Sequence, residues 1–208
     1  MIAVLDYGIG NLRSVMNAFE HIGVDAVATR DRDEICHSNG VVIPGVGAFN
    51  AAMDGIRCHR LDEVISQIVE SGKPTLGICV GFQMLMQSSM EMGMHSGFNF
   101  FSSAVKKIET KERLPHIGWA NLSLSDNAKC RSVLLKGIEE AYFYFLHSYA
   151  VPAFQTEEFL NATSEYGGYK FISLVERENT FGTQFHPEKS GEAGLTLLKN
   201  FAKFANDK

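Results

Sequence analysis

At 208 residues the chain is long enough for one sizeable hydrophobic core, and 45% hydrophobic with 21% charged residues is an ordinary globular balance. A net charge of −5, with no basic run longer than Lys106-Lys107 or Lys111-Glu112-Arg113, gives no electrostatic footing for nucleic acid or an anionic membrane. The start, Met1-Ile2-Ala3-Val4-Leu5-Asp6, lacks a basic lead and reads as a buried strand, not a signal peptide; with no apolar run of membrane-spanning length, a cytoplasmic setting is expected.

In chain order, Ile2 to Leu5 reads as a strand, Leu12 to His21 as a helix closing near Gly23, Val24 to Ala28 as a second strand and Val41 to Ile43 as a third. After Pro44-Gly45-Val46-Gly47, helical spacing runs through Ala51, Met53 and Ile56, and again through Leu61, Val64, Ile65, Ile68 and Val69. Gly72 then leads into the apolar run Pro74-Thr75-Leu76, which ends at Cys79 and passes into helix-like Phe82 to Met86. Such alternation implies βαβ units and a parallel sheet, with ligands gathering at the carboxyl ends of the strands.

The second half is strand-rich. Val105 to Ile108, Ala141 to Val151, Tyr169 to Val175 and Phe181 to Phe185 carry the signals, with Arg177 to Thr180 as a hairpin connection. A closing helix shows 3.6-residue spacing at Ala193, Leu197, Leu198, Phe201, Phe204 and Ala205. The expected fold is α/β: an open, twisted, mostly parallel sheet flanked by helices, with an antiparallel strand-rich portion in the C-terminal half, in one domain over residues 1–208. Met84, Met86, Met90, Met92 and Met94 are expected as gap-filling core.

Cys36, Cys58, Cys79 and Cys130 form no CxxC pair, so neither a zinc site nor a disulfide framework is expected, and no cofactor is called for. Gly8-Ile9-Gly10 lacks the third glycine of a dinucleotide fingerprint, since Arg13 stands there; the turn faces a partner or a substrate instead. Asn121-Leu122-Ser123 and Asn161-Ala162-Thr163 match a glycosylation pattern that means nothing without secretion.

Two short segments carry chemistry. In Gly77-Ile78-Cys79-Val80-Gly81 a cysteine sits between glycines where strand gives way to helix. A sharp turn needs those glycines, and the helix N-terminus favours a thiolate and offers N–H groups, that of Val80 among them, to a developing oxyanion. His186-Pro187-Glu188 supplies an imidazole and a carboxylate; Pro187 biases His186 toward extended geometry, where alternation points both side chains to one side. Nucleophile, base and orienting acid together suit thiol-based acyl transfer.

Gly77 to Gln83 with Phe185 to Glu188 resembles the class I (triad) glutamine amidotransferases. Within that family, Pro44 to Phe49, Pro115 to Trp119, Tyr144 to Tyr149 and His186 to Gly191 are similar to the branch that supplies ammonia in histidine biosynthesis, and the likeness runs from Asp6 to Phe201. The resemblance implies L-glutamine as substrate, with Cys79 attacking its side-chain amide, His186 shuttling protons and Glu188 orienting His186. Val46, Gly47 and Val80 would form the oxyanion region, while Gln83, Ser148 and Tyr149 would hold the amino-acid end. Ammonia would pass to a separate (β/α)₈ cyclase subunit in a heterodimer, which makes imidazole glycerol phosphate and an aminoimidazole carboxamide ribotide. Asn11, Tyr144 and Lys189 match positions near that interface; read alone they are a turn Asn, a half-buried sheet Tyr and a solvated Lys.

There are departures from the family pattern. Val80 and Phe82 replace a usual Leu and Met, Ser88 to Phe101 lacks the usual acidic lead into a Gly-Leu-Gly turn and reads Met92 to Asn99 instead, and Ala120 stands where Asn is usual. No catalytic group is lost, yet two other readings stay open: a paralogue feeding another synthase, such as an amidino-sugar-forming ligase, and a silent scaffold.

Overall fold

The computed structural model describes residues 1–124, 130–154, 156 and 158–208. Seven strands form its main sheet: β1 (Ile2–Leu5), β2 (Ala26–Thr29), β3 (Gly40–Ile43), β4 (Thr75–Ile78), β11 (Leu160–Tyr166), β12 (Tyr169–Arg177) and β13 (Thr180–Thr183). Their order across the sheet is β11-β12-β13-β4-β3-β1-β2. From β13 to β2 every pairing is parallel, and β11 and β12 continue the sheet antiparallel. β1, β3, β4 and β13 are buried along their full length; β1 and β3 accordingly read as unbroken apolar runs, while β4 and β13 bury threonines as well.

Helix α1 (Leu12–His21) packs against the C-terminal helix α6 (Gly191–Asn206). A second group, α2 (Arg32–His37), α3 (Phe49–Cys58) and α4 (Leu61–Glu70), packs together elsewhere on the sheet. The α6 stripe buries Leu197, Leu198, Phe201 and Ala205, as its spacing predicts, with Phe204 packed at the core's margin. Residues 86–150 build two further sheets. One is made of β5 (Met86–Ser89), β6 (His95–Ser96), β7 (Phe101–Lys107) and β10 (Tyr149–Ala150), in the order β10-β7-β5-β6. The other pairs β8 (His116–Asn121) with β9 (Tyr142–His147). Among the described residues no helix is long and apolar enough to cross a membrane.

Several expectations need correction. The helix after Cys79 is a single short piece, α5 (Val80–Met84), and Met86 already starts a strand. The expected core methionines divide: Met84 and Met86 are buried, whereas Met90, Met92 and Met94 are 50%, 79% and 79% exposed. The reason lies in the backbone, because Met92 and Gly93 turn through positive φ and carry the segment over the surface. The Ala141 to Val151 run is two strands broken at Ser148, and the second strand starts at Ala26 rather than Val24.

The β4–α5 turn is possible only because backbone meets backbone there. A Cβ on Gly81 would lie 1.8 Å from the Ile43 carbonyl oxygen, and one on Gly77 would lie 2.7 Å from the Gly81 oxygen. The two glycines are therefore demanded by close approach, and the positive φ of the turn, +55°, falls on Cys79 itself. Gly81→Ala is expected to lower unfolding free energy by about 3 kcal/mol or to prevent folding, measured by urea denaturation. A loss below about 1 kcal/mol would contradict the packing described.

Candidate active site

Parallel pairing of β4 with β13 brings the two chemical segments to one place. Ile78 stands opposite Thr183, and the Cys79 N–H donates to the Thr183 oxygen at 2.7 Å, so both chains leave the sheet at the same end. Beyond β13, the His186 N–H donates to the Tyr144 oxygen at 2.9 Å, and Ser190 Oγ donates to the His186 oxygen at 2.6 Å. The same hydroxyl accepts the Tyr144 N–H at 3.0 Å, so strand β9 clamps the imidazole's backbone from two sides.

His186 Nδ1 lies 2.8 Å from Glu188 Oε1, and both side chains are buried, at 1% and 0% exposure. Strand alternation does not bring them together, as the spacing suggests; Pro187–Lys189 is a 3-10 turn that folds the carboxylate back under the ring. Nδ1 therefore carries the proton, and Nε2, which has no hydrogen-bond partner among the described residues, faces the cleft shared with Cys79. Burial alone pulls the His186 pKa down, but the Cys79 sulfur and the Glu188 carboxylate reverse this and raise it to about 10. A charged imidazole opposite the Cys79 sulfur is the state that this arrangement favours.

The cleft is a small cavity of about 80 Å³ that opens to solvent. Its lining includes Val46, Gly47, Cys79, Val80, Gln83, Ser148, Tyr149 and His186, so eight of the residues singled out in sequence meet at one spot. Val80 opens α5, which leaves its N–H without an intrahelical acceptor. Across the cleft, buried Tyr7 donates its hydroxyl to the Pro44 oxygen and pins the turn that carries Val46 and Gly47. A larger hollow beside β11 and β12, lined by Arg131, Phe159, Lys170 and Glu176 among others, contains neither thiol nor imidazole.

Asn11, Tyr144 and Lys189 do not line the cleft but surround the back of the same group. Asn11 Nδ2 donates to Glu188 Oε1 at 2.9 Å, and Lys189 Nζ stands 5.9 Å from the centre of the Tyr144 ring. Tyr144 pairs with Trp119 across β8 and β9, and the outer face of that ladder exposes Ile117, Trp119 and Tyr142 by 58%, 54% and 62%.

Glu91 is a site residue that the sequence did not reveal. Its carboxylate lines the cleft, and Oε2 accepts the Phe49 N–H at 2.8 Å, closing the N-terminus of α3. The remaining oxygen can face a cationic group on a ligand. An acid between exposed methionines carries no local signal; only the fold of residues 90–94 over the cleft brings it there.

The substituted positions after the cysteine do packing work. Val80 and Phe82 are 4% and 0% exposed, and the Phe82 ring covers Gly182 so closely that a Cβ there would come within 2.3 Å.

Residues 3–204 match the family model described as Glutamine amidotransferase class-I. The chain is 40% identical over 206 residues to an imidazole glycerol phosphate synthase subunit HisH of Chlorobaculum tepidum, covering 98% of this chain and 100% of that one. It is 41% identical over 202 residues to a protein of the same name from Bacillus cereus, covering 97% and 93%. Among solved structures, a glutamine amidotransferase superposes with a TM-score of 0.76 at 17% identity over 99% and 98% of the two chains. A chain of PurLQS from Thermotoga maritima superposes with a TM-score of 0.71 at 20% identity over 98% and 97%. At such identities the two structures speak for the fold alone.

Two further histidines adjoin the cleft, His147 in its lining and His116 beside it, and their protonation is set by burial. His147 Nδ1 donates to the Tyr149 oxygen at 3.0 Å, so its Nε2 is the acceptor, and His116 Nδ1 approaches it at 3.4 Å. His116 is stacked between Tyr166 and Phe145. Burial lowers the pKa of His116 to about 4, and burial with the neighbouring His116 lowers that of His147 to about 3. Because unfolded histidine titrates at 6.5, the stability this neutral pair contributes is full above that pH and is lost as pH falls through about 4 and 3. His186 has the opposite sign: its contribution is full below 6.5 and disappears as pH rises through about 10. His116→Phe, which keeps the stack, is expected to flatten the dependence of urea-unfolding stability between pH 6.5 and 4, where each such proton contributes up to about 1.4 kcal/mol per pH unit. An unchanged slope would mean that His116 is not neutral in the fold.

Proposed function

The chain belongs to the class I glutamine amidotransferases, and we propose from that premise that it is the glutaminase subunit of an imidazole glycerol phosphate synthase, serving histidine biosynthesis. The observation that carries the chemistry is the meeting of Cys79, His186 and Glu188 at the adjoining ends of β4 and β13. Likeness to HisH proteins over essentially the whole length favours the histidine client over an amidino-sugar ligase, and an intact triad disfavours a silent scaffold.

The reaction follows from the geometry. With the thiol proton held on His186 Nε2, the Cys79 sulfur attacks the side-chain carboxamide carbon of L-glutamine. The carbonyl electron pair moves to oxygen, where the N–H of Val80 and the Val46–Gly47 backbone receive the charge. Collapse expels ammonia with the proton from His186 and leaves a thioester. Water then adds, giving its proton to His186, and glutamate leaves as sulfur recovers its electron pair. Glu188 holds the ring in the tautomer that presents Nε2 throughout. Glu91 takes the α-ammonium group, while Gln83 with the Ser148–Tyr149 turn seats the rest of the amino-acid end.

Free ammonia is mostly protonated in neutral water and so loses its nucleophilic lone pair; sequestration preserves the reactive form. The proposed partner is a (β/α)₈ cyclase subunit in a heterodimer, docked on the apolar outer face of β8 and β9 with Asn11, Tyr144 and Lys189 at its margin. Two features support this face: its exposed Ile117, Trp119 and Tyr142, and its direct hold on His186 through Tyr144. One catalytic domain over residues 1–208 and a cytoplasmic setting, where the exposed thiols of Cys36, Cys58 and Cys130 stay reduced, complete the proposal.

In the assembled enzyme, Cys79→Ala is expected to abolish glutamine-dependent product formation while leaving synthesis from added ammonium salts within about twofold of the wild type. Loss of both activities in a folded complex would refute the division of labour.

A further inference from the structure

Gln184 lies two residues before His186 and is completely buried. A buried primary amide must place both donors and its acceptor, and which end faces which neighbour decides what it does. Here the choice is fixed by a chain of contacts that begins at a backbone carbonyl. The Tyr149 oxygen can only accept, so the Gln83 atom that approaches it at 2.9 Å is Nε2. That amide's second hydrogen points at Gln184 over 3.0 Å, which requires Oε1 of Gln184 at that position. The remaining end of Gln184, its Nε2, then faces Cys79 Sγ at 3.7 Å. Tyr149 cannot drift and reset the chain, because His147 holds the same oxygen at 3.0 Å.

The sulfur therefore sits between two neutral groups of opposite preference. The Leu146 carbonyl oxygen, 3.9 Å away, favours the S–H form, and the Gln184 N–H favours the anion. We propose that Gln184 is a further catalytic residue: its Nε2–H donates to the Cys79 sulfur whenever that atom carries charge, and ties the nucleophile to the substrate seat at Tyr149. This rests on Cys79 being the nucleophile of the reaction above.

The contact acts at two points in the cycle. In the resting enzyme it raises the thiolate fraction beside the His186 imidazolium. During attack it weakens, because the sulfur lone pair becomes the S–C bond. When water has added to the thioester and that bond breaks, the electron pair returns to sulfur and the N–H receives the charge again, so Gln184 assists departure of the leaving group.

The test uses the full chain with Gln184→Met, which keeps the approximate volume and removes the N–H. Alkylation of Cys79 by iodoacetamide, without glutamine, reads the thiolate directly. The variant is expected to react about tenfold more slowly than wild type at pH 7, with the gap closing toward pH 10. An equal rate in a folded variant overturns the role of Gln184 and leaves the nucleophile reading intact. If wild-type Cys79 does not react at all, the nucleophile reading fails as well. Should the variant not fold, the wild-type chain still decides: the side-chain amide resonances of Gln184 are expected to shift with pH in step with Cys79 alkylation and to lose that shift in Cys79→Ala. Resonances that stay fixed in wild type overturn the proposal.

Discussion

Parallel register between β4 and β13 is the constraint on which the site depends. The strands are neighbours although Cys79 and Gln184, the residues that follow them, stand 105 positions apart in the chain. Ile78 lies opposite Thr183, with the Cys79 N–H bonded across. Parallel strands end at the same edge, so the register alone places sulfur and imidazole side by side without any long loop to order. A shift by one residue would reverse every side chain at that edge and turn His186 into the sheet. Burial of both strands along their full length is what prevents the slip.

Around that register the polar groups form a single tethered set. Glu188 and Asn11 meet at one carboxylate oxygen, which leaves Oε2 without a hydrogen-bond partner among the described residues. Tyr144 and Ser190 fix the His186 backbone, while Tyr7 fixes the opposite wall through Pro44. The lower layer runs from His116 through His147, Tyr149, Gln83 and Gln184 to the sulfur. Neutral histidines suit that lower layer, because a second imidazolium beside His186 would compete for the charge that Cys79 and Glu188 provide. Low dielectric makes each of these contacts matter more than it would at the surface, and makes each broken one costly.

Much of this was legible in the sequence where the signal is local. Glycines flanking Cys79 mark a turn too tight for a Cβ, and the alternation of apolar strands with 3.6-period helices marks a parallel sheet. The placement of Cys79, Val80 and Gln83 at one turn follows from those segments, whereas Val46, Gly47, Ser148 and Tyr149 are singled out only through the family resemblance. What was missed depends on long-range placement. Glu91 acquires meaning only because residues 90–94 cross the cleft, and their methionines look like core until the backbone turns outward at Met92. Helix α2 has six residues and one buried side chain, Ile35, which is too little periodicity to detect. β8 alternates in burial but exposes apolar Ile117 and Trp119, so no polar period marks it, and β11 carries a shift in register between Ala162 and Thr163 that breaks its pattern.

Activation of Cys79, and not of the three exposed thiols, beside the His186 imidazole is what the proposed chemistry requires. Exposure to a glutamine-like amino acid bearing a chloroketone in place of the carboxamide, followed by digestion and mass mapping, tests it most directly. The account predicts one adduct, on Cys79, formed despite the burial of that sulfur and blocked by excess glutamine. Adducts on exposed Cys36, Cys58 or Cys130 with Cys79 unmodified, or labelling indifferent to glutamine, would contradict it.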